Sequence, residues 1–313
     1  MLVVRLRIVP RESPAPSAIF PMPISLDDYF TERNQAISNS KVSDFLKSRE
    51  YFYFKHVKRA LDENLTPSMQ LGKMVDAAFT AGTSEAIRLN WAVKVLKKDD
   101  PDMFATQKRI PSENLVTEAV WTKAIGMAES LLREPFYADY ASMKTVESQT
   151  PLSGTLTLPG QRMSVPICSL PDKRVFAQDG TIFIDDLKTS ANSAMRSNDS
   201  WYWHCEEYGY FRQLAVSLFL TRSQFPKANV VCRHIVIGST QQGRFPIKLF
   251  VLPSELLKPA LMDFAEAAYA IQELRMKNDP EAWKDDPIAW DRAAVLKLPE
   301  KLQPAASAES EEA

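Results

Sequence analysis

The strongest constraint on this chain lies in residues 170–190, LPDKRVFAQDGTIFIDDLKTS. Val175-Phe176-Ala177 runs into Gln178-Asp179-Gly180, and Thr181-Ile182-Phe183-Ile184 leads out again. An Asp-Gly pair between two short apolar runs signals a β-hairpin, because glycine supplies the positive φ the turn needs. The second strand ends in Asp185-Asp186-Leu187-Lys188, and Pro171-Asp172 stands just before the first. Side chains alternate faces along a strand, so Asp186 and Lys188 share one face and Asp185 and Leu187 the other. Hairpin pairing would bring Asp172 close to Asp186. Two carboxylates converging from adjacent strands form a hard, oxygen-lined site suited to magnesium or manganese, with Lys188 beside it. A solvated strand end would carry the same charges with no site at all.

Such a set suits phosphodiester hydrolysis. A bound metal polarises a phosphate and lowers the pKa of water. A lysine next to it orients or helps deprotonate that water and stabilises charge on the pentacovalent phosphate.

Other metal chemistry is disfavoured by the rest of the chain. Cys168, Cys205 and Cys232 are widely spaced and too few for a four-thiolate iron–sulfur cluster. His56, His204 and His234 lack zinc-site spacing. The 313 residues carry a net charge of −1, which gives no nucleic-acid signal but allows a local basic groove offset by an acidic exterior. No apolar run is long enough to span a bilayer, and MLVVRLRIVPRES lacks a full signal-peptide core, so the expectation is a cytoplasmic protein with no membrane partner.

Patterning predicts a mixed α/β chain. Residues 1–25 are proline-rich and expected to be irregular, 26–302 to form one domain, and 303–313 to be a disordered acidic tail. Helices are expected from Ser38-Asn39-Ser40 through Val42, Phe45 and Leu46, over 70–81, and over Thr117–Leu132 with Ala119, Val120, Ala124, Met127 and Leu131 on one side. Residues 152–188 read as strands. Residues 206–221 return to helix with a Phe211-Leu214-Ala215-Leu218 stripe, off which Tyr210, Gln213 and Ser217 fall. ANVVCRHIVIG and FPIKLFVLP read as a second hairpin, and Ser254 as the cap of a last helix through Leu274. A central mixed sheet flanked by helices, with a helical N-terminal part, follows.

Pro171-Asp172 followed by Asp186-Leu187-Lys188 resembles the PD-(D/E)xK nuclease signature. PDKRV, then DDLKTS, then Tyr208-Gly209-Tyr210-Phe211-Arg212-Gln213 resembles the exonuclease VIII (RecE) C-terminal nuclease domain, and more distantly lambda exonuclease and RecB-type nucleases. ISNSKVSDFLKS, QLGKMVDAAFTAG and LVTEAVWTKAIGMAESLLREP resemble helices of the same family upstream, so the likeness runs from about residue 36 to about residue 300. Three positions depart from it. Asp76 stands where many members have a histidine metal ligand, the segment SGTLTL at 153–158 carries no acid, and Ser217 replaces the tyrosine of a Gln-x-x-x-Tyr pair.

The resemblance implies a restriction-endonuclease-like core and a magnesium- or manganese-dependent DNA exonuclease. Asp172, Asp186, Lys188 and Gln213 would be catalytic, and Asp172, Asp186, Asp76 and the Leu187 carbonyl would hold the metal. Tyr210, Thr189, Ser190 and Arg174 would contact DNA, with Arg162, Lys173 and Arg196 as further cations near the site in sequence. The implied substrate is linear duplex DNA, degraded from a 5′ end to leave 3′ overhangs for a phage-type single-strand annealing partner, and the implied state is a homo-oligomer. Two other readings stand beside it: a RecB-like nuclease of other polarity, and a catalytically weakened DNA-binding protein on the same fold.

Overall fold

The computed structural model describes residues 35–61, 65–96, 98–158, 161–239 and 245–284. The expectations for the proline-rich N-terminal segment and the acidic tail, and the boundaries at 25 and 302, lie outside the described residues. Six helices and seven strands position the site. The helices are α1 (Asn39–Lys47), α2 (Pro67–Ala81), α3 (Glu118–Leu132), α4 (Asn198–Tyr208), α5 (Tyr210–Gln224) and α6 (Ser254–Lys277). The strands are β1 (Thr145–Ser148), β2 (Leu152–Leu156), β3 (Val165–Ser169), β4 (Lys173–Phe176), β5 (Ile182–Ala191), β6 (Val230–Ser239) and β7 (Ile247–Leu252).

Strands β1-β4-β5-β6-β7 form one mixed sheet. All its neighbours are antiparallel except β5 and β6, which run parallel with α4 and α5 as the crossover. β2 and β3 pair separately. The fold class is the mixed α/β one expected, with helices on both faces of the sheet.

Period-2 alternation on β5 decides which helices cover which face. Ile182 and Ile184 point to one side and meet Trp201 of α4 and Phe211, Leu214 and Leu218 of α5. Leu187 points to the other, with Val175 and Ile235, and meets Met74, Val75 and Phe79 of α2 and Met127 and Leu131 of α3. A third cluster packs α6 through Phe264 and Ile271 against α1, β2 and β3.

Local chemistry accounts for most element ends. Thr66 caps α2 by accepting from the Met69 N–H, Pro67 starts it, and Gly82 ends it in the left-handed region. The hairpin turn closes as expected, with Gly180 at φ 84° and the Thr181 N–H on Asp179 Oδ1.

Several expectations need correction. Residues 206–221 are not one helix: Gly209 adopts φ 68° and ψ 30°, its N–H caps α4, and α5 starts at Tyr210. A residue with a Cβ resists that backbone, which is why the break falls on glycine. Ser38 and Ser254 do not cap through their side chains; Ser38 Oγ bonds Ser40 Oγ at 2.9 Å, and Ser254 Oγ donates to Glu255 Oε1 at 3.2 Å. Ala119 and Leu46 are exposed rather than on a buried face. Among the described residues no helix is long and apolar enough to cross a membrane.

Candidate active site

The site begins where β4 stops. β4 pairs with β5 only as far as Lys173 opposite Asp185, while β5 runs on to Ala191. From Asp186 onward β5 therefore has an edge that β4 does not cover. Asp172, the residue before β4, fills the first gap: its Oδ2 accepts the Leu187 N–H at 2.7 Å. A strand residue sends its N–H and C=O to the same side, so the Leu187 carbonyl faces this edge as well.

On the face of β5 turned to α5, Asp186 is 1% exposed. Its Oδ1 accepts from Gln213 Nε2 at 2.7 Å, and its Oδ2 lies 2.5 Å from Lys188 Nζ. The Gln213 Oε1 accepts from that same ammonium at 3.2 Å, so one amide from α5 fixes both groups. Lys188 Nζ also lies 4.7 Å from the centre of the Tyr210 ring, within cation–π range. The parallel register sets His234 of β6 directly beside Asp186. His234 Nδ1 accepts from the Trp201 indole at 3.3 Å, which assigns the ring proton to Nε2. That Nε2 faces Asp186 Oδ2 at 3.6 Å, too far for a hydrogen bond, and is itself buried without a hydrogen-bond partner.

Asp76 enters from α2. Its Oδ2 accepts from Gln149 Nε2 at 2.8 Å, and its Oδ1 is buried without a donor. Gln149 sits at φ 46°, in the left-handed region that non-glycine residues seldom occupy, and its N–H bonds the Asp172 carbonyl at 2.9 Å. One residue with a strained backbone thus ties Asp76 to Asp172. Gly72, Lys73, Asp76, Asp172, Lys188 and Tyr210 line a cleft of about 240 Å³ here, with Leu187 and Thr189.

Asp76 and Asp172 on the cleft wall and Asp186 just behind it set three carboxyls close together, with the Lys188 ammonium among them and Lys73 on the lining. Burial raises the Asp172 carboxyl well above the ordinary range, and Asp186 and Asp76 push it further. Asp76 is pushed up to about 6 by burial and then by Asp186. Asp186 is raised by burial against the pull of Lys188. Burial alone would lower the Lys188 ammonium, but Asp186 and Asp172 outweigh it and hold it up. Burial, then Lys188, drives His234 well below its usual value, so it is neutral.

The donor set fits a hard divalent cation. Asp76 Oδ1 is a buried carboxylate oxygen that accepts no hydrogen bond, which is costly unless something compensates it, and Asp186 stands close enough to raise the carboxyls of both Asp172 and Asp76. Among the described residues no three His, Cys, Asp or Glu side chains form a ready-made cage. Magnesium does not require one, since it takes one or two carboxylates and keeps several waters.

No family model matches the chain, and no curated protein does. A crystal structure of a protein from Eubacterium rectale, provisionally described as an exonuclease, superposes with a TM-score of 0.53 at 15% identity, covering 82% of this chain and 87% of its own. This chain shares its fold. The structure of SSO0001 covers 79% of this chain and 88% of its own at 13% identity, but its TM-score of 0.26 carries no argument.

Most of the expected site residues come together: Asp172, Asp186, Leu187, Lys188, Gln213, Asp76, Tyr210 and Thr189. Four do not. Arg174 is buried and committed to structure: it pairs with Glu147 of β1 at 2.5 Å and donates to Gln224 at 2.7 Å, so it is not free for a phosphate. Ser190 is buried under α4, its Oγ 3.4 Å from His204 Nε2. Lys173 is buried with its ammonium 4.7 Å from the centre of the Phe79 ring. Ser217 bonds Ser169 at 2.7 Å inside the core, so that position lies outside the site altogether.

Sequence reasoning missed Gln149 and His234. The signal for His234 was available: Arg233-His234 interrupts an apolar strand run, as Asp185-Asp186 does, and the register pairs the two dipeptides. Gln149 carried no signal.

Proposed function

We propose that this chain is a metal-dependent nuclease that hydrolyses DNA phosphodiester bonds. The observation that carries the reading is the convergence of Asp172, Asp186, Lys188 and Gln213 on the uncovered edge of β5. The fold shared with the Eubacterium rectale protein supports it. Asp172, Asp186, Asp76 and the Leu187 carbonyl would hold magnesium or manganese. When bound, that ion supplies Lewis-acid polarisation of the phosphate and a water of lowered pKa. Gln213 fixes Asp186 and Lys188 at once, so the two act as one positioned unit. Lys188 brings its ammonium to the cleft, where it stabilises negative charge developing on the phosphate. Lys73 and Thr189 at the rim suit contact with neighbouring phosphates.

The finer reading rests on the sequence resemblance: an exonuclease on linear duplex DNA, working 5′ to 3′ and leaving 3′ overhangs for an annealing partner, as a homo-oligomer. Duplex labelled at the 5′ or 3′ end, incubated with magnesium or manganese, tests it against a circular substrate. The expected result is mononucleotide release from the 5′ end of the linear DNA alone, lost in Asp186→Ala and Lys188→Ala. Equal release by wild type and variants sinks the catalytic assignment. Binding without cutting under either metal favours the weakened DNA-binding reading, and release from the 3′ end favours the RecB-like one.

A further inference from the structure

The cleft does not end at Lys188; it opens onto aromatic rings. Lys188 Nζ sits 4.7 Å from the Tyr210 ring centre, and Tyr210 lines the cleft. The Tyr208 ring stacks on Tyr210 with centroids 5.7 Å apart and planes 27° off parallel. His204, one turn earlier on α4, lies 4.6 Å from Tyr208. The break at Gly209 makes this possible, since it lets the last residue of α4 and the first of α5 present their rings side by side. The series runs from buried to wet: Tyr210 is half-buried and Tyr208 is 51% exposed.

An exposed tyrosine backed by a second ring, adjoining a site for a phosphate, is matched by one ligand chemistry. We infer that Tyr208 and Tyr210 form a stacking platform for an unpaired nucleobase, that of the nucleotide whose phosphate lies in the cleft or its immediate neighbour. The inference rests on the nuclease reading for the identity of the phosphate. Aromatic faces bind bases with little regard to sequence, because every base offers a π-face. A base inside a duplex has both faces covered by its neighbours, so the platform selects frayed, overhanging or single-stranded ends.

Trp203 provides the control. It lies on the same helix and is 62% exposed, but its ring meets Tyr202, and its position is about 140° around the helix from Tyr208. The experiment measures binding in a chelator, so that nothing is cleaved. The probe is a short single-stranded oligodeoxynucleotide carrying 2-aminopurine at one end, whose fluorescence is quenched on stacking. Wild type should quench it, with the label at the 5′ or the 3′ end showing which terminus is held. Tyr208→Leu should weaken binding about tenfold and abolish the quenching. Tyr208→Trp should restore both, Trp203→Leu should leave both unchanged, and a label inside a closed duplex should not respond.

Wild-type binding and quenching in Tyr208→Leu would overturn the inference, as would equal losses in Tyr208→Leu and Trp203→Leu. The two readings fail separately. A protein that quenches through Tyr208 and never cuts with magnesium or manganese keeps the platform and loses the nuclease. A protein that cuts but ignores Tyr208→Leu keeps the nuclease and loses the platform.

Discussion

Asp185 and Asp186 are adjacent, both almost wholly buried, and opposite in character. Asp185 is fully paired. Arg233 Nε and Nη2 reach its two oxygens at 2.6 Å each, and the Tyr140 hydroxyl donates to it at 2.6 Å. The Arg233 guanidinium also covers the Phe183 ring at 4.1 Å. Asp186 has Gln213 on one oxygen and the Lys188 ammonium at 2.5 Å on the other, but it also faces the carboxyls of Asp172 and Asp76. Strand alternation sends one to the α2/α3 side and the other to the α5 side, and the register gives them Arg233 and His234 as neighbours. A buried carboxylate matched to a single guanidinium is costly to remove, because its partner is then stranded. One crowded by other carboxylates is retained for what they can bind together.

Mutation can break this contrast directly. The largest effect should come from Asp186→Asn, which we expect to lower cleavage by about 10²–10³-fold while the fold is retained by circular dichroism, since relief of the repulsion with Asp172 and Asp76 offsets part of the lost Lys188 pair. Asp185→Ala should do the reverse. It strands Arg233 and should cost about 3–5 kcal/mol, read from denaturant midpoints, with any activity loss following unfolding. Equal behaviour of the two variants would erase the distinction. Magnesium or manganese should raise the melting temperature of wild type and of Tyr208→Leu but not of Asp186→Asn, the stabilisation being about 2.7 kcal/mol at a hundredfold excess over Kd. Gln213→Ala, which frees both Asp186 and Lys188, should reduce metal affinity or activity about 10–100-fold with the fold intact by circular dichroism.

The smallest effect concerns a third carboxylate, Asp44, remote from the cleft. Burial would raise it, but His56 at 2.8 Å and Lys55 at 3.0 Å win and hold it below its ordinary value. Its contribution is present above the unfolded pKa of about 3.9 and is lost as pH falls through the lower folded value. Between about pH 5 and pH 3, wild type should therefore lose up to about 1 kcal/mol more than Asp44→Asn in urea titrations. No difference between them would mean that the Asp44 pairs add nothing to stability.

Part of this architecture is legible in the sequence. The hairpin, α2, α3, α6 and the β6–β7 pair follow from local periodicity and from Gly and Pro punctuation, which depend on few distant contacts. The sharing of one face by Asp186 and Lys188 follows from a period of two. Arg174 and Ser190 could not be judged this way. Exposure is not a property of a residue type, and Arg174 is buried because Glu147 stands opposite it across β1 and β4. The split at Gly209 had a signal in Tyr-Gly-Tyr, but a lone glycine inside a helical stripe is compatible with either outcome.

Local pattern is enough to say that a short strand with Asp172 at its start and a long strand carrying Asp186 and Lys188 meet across a tight turn. It also places Asp76 on an amphipathic helix and Gln213 beside an apolar stripe. Packing settles which of the two aspartates is locked onto Arg233 and which joins Asp172 and Asp76. That choice depends on a strand more than forty residues away pairing in parallel at one register, and on two helices closing over opposite faces of the sheet. A shift of one residue along β6 would exchange the faces on which Arg233 and His234 stand. Local sequence carries the alternation, and only packing fixes its phase.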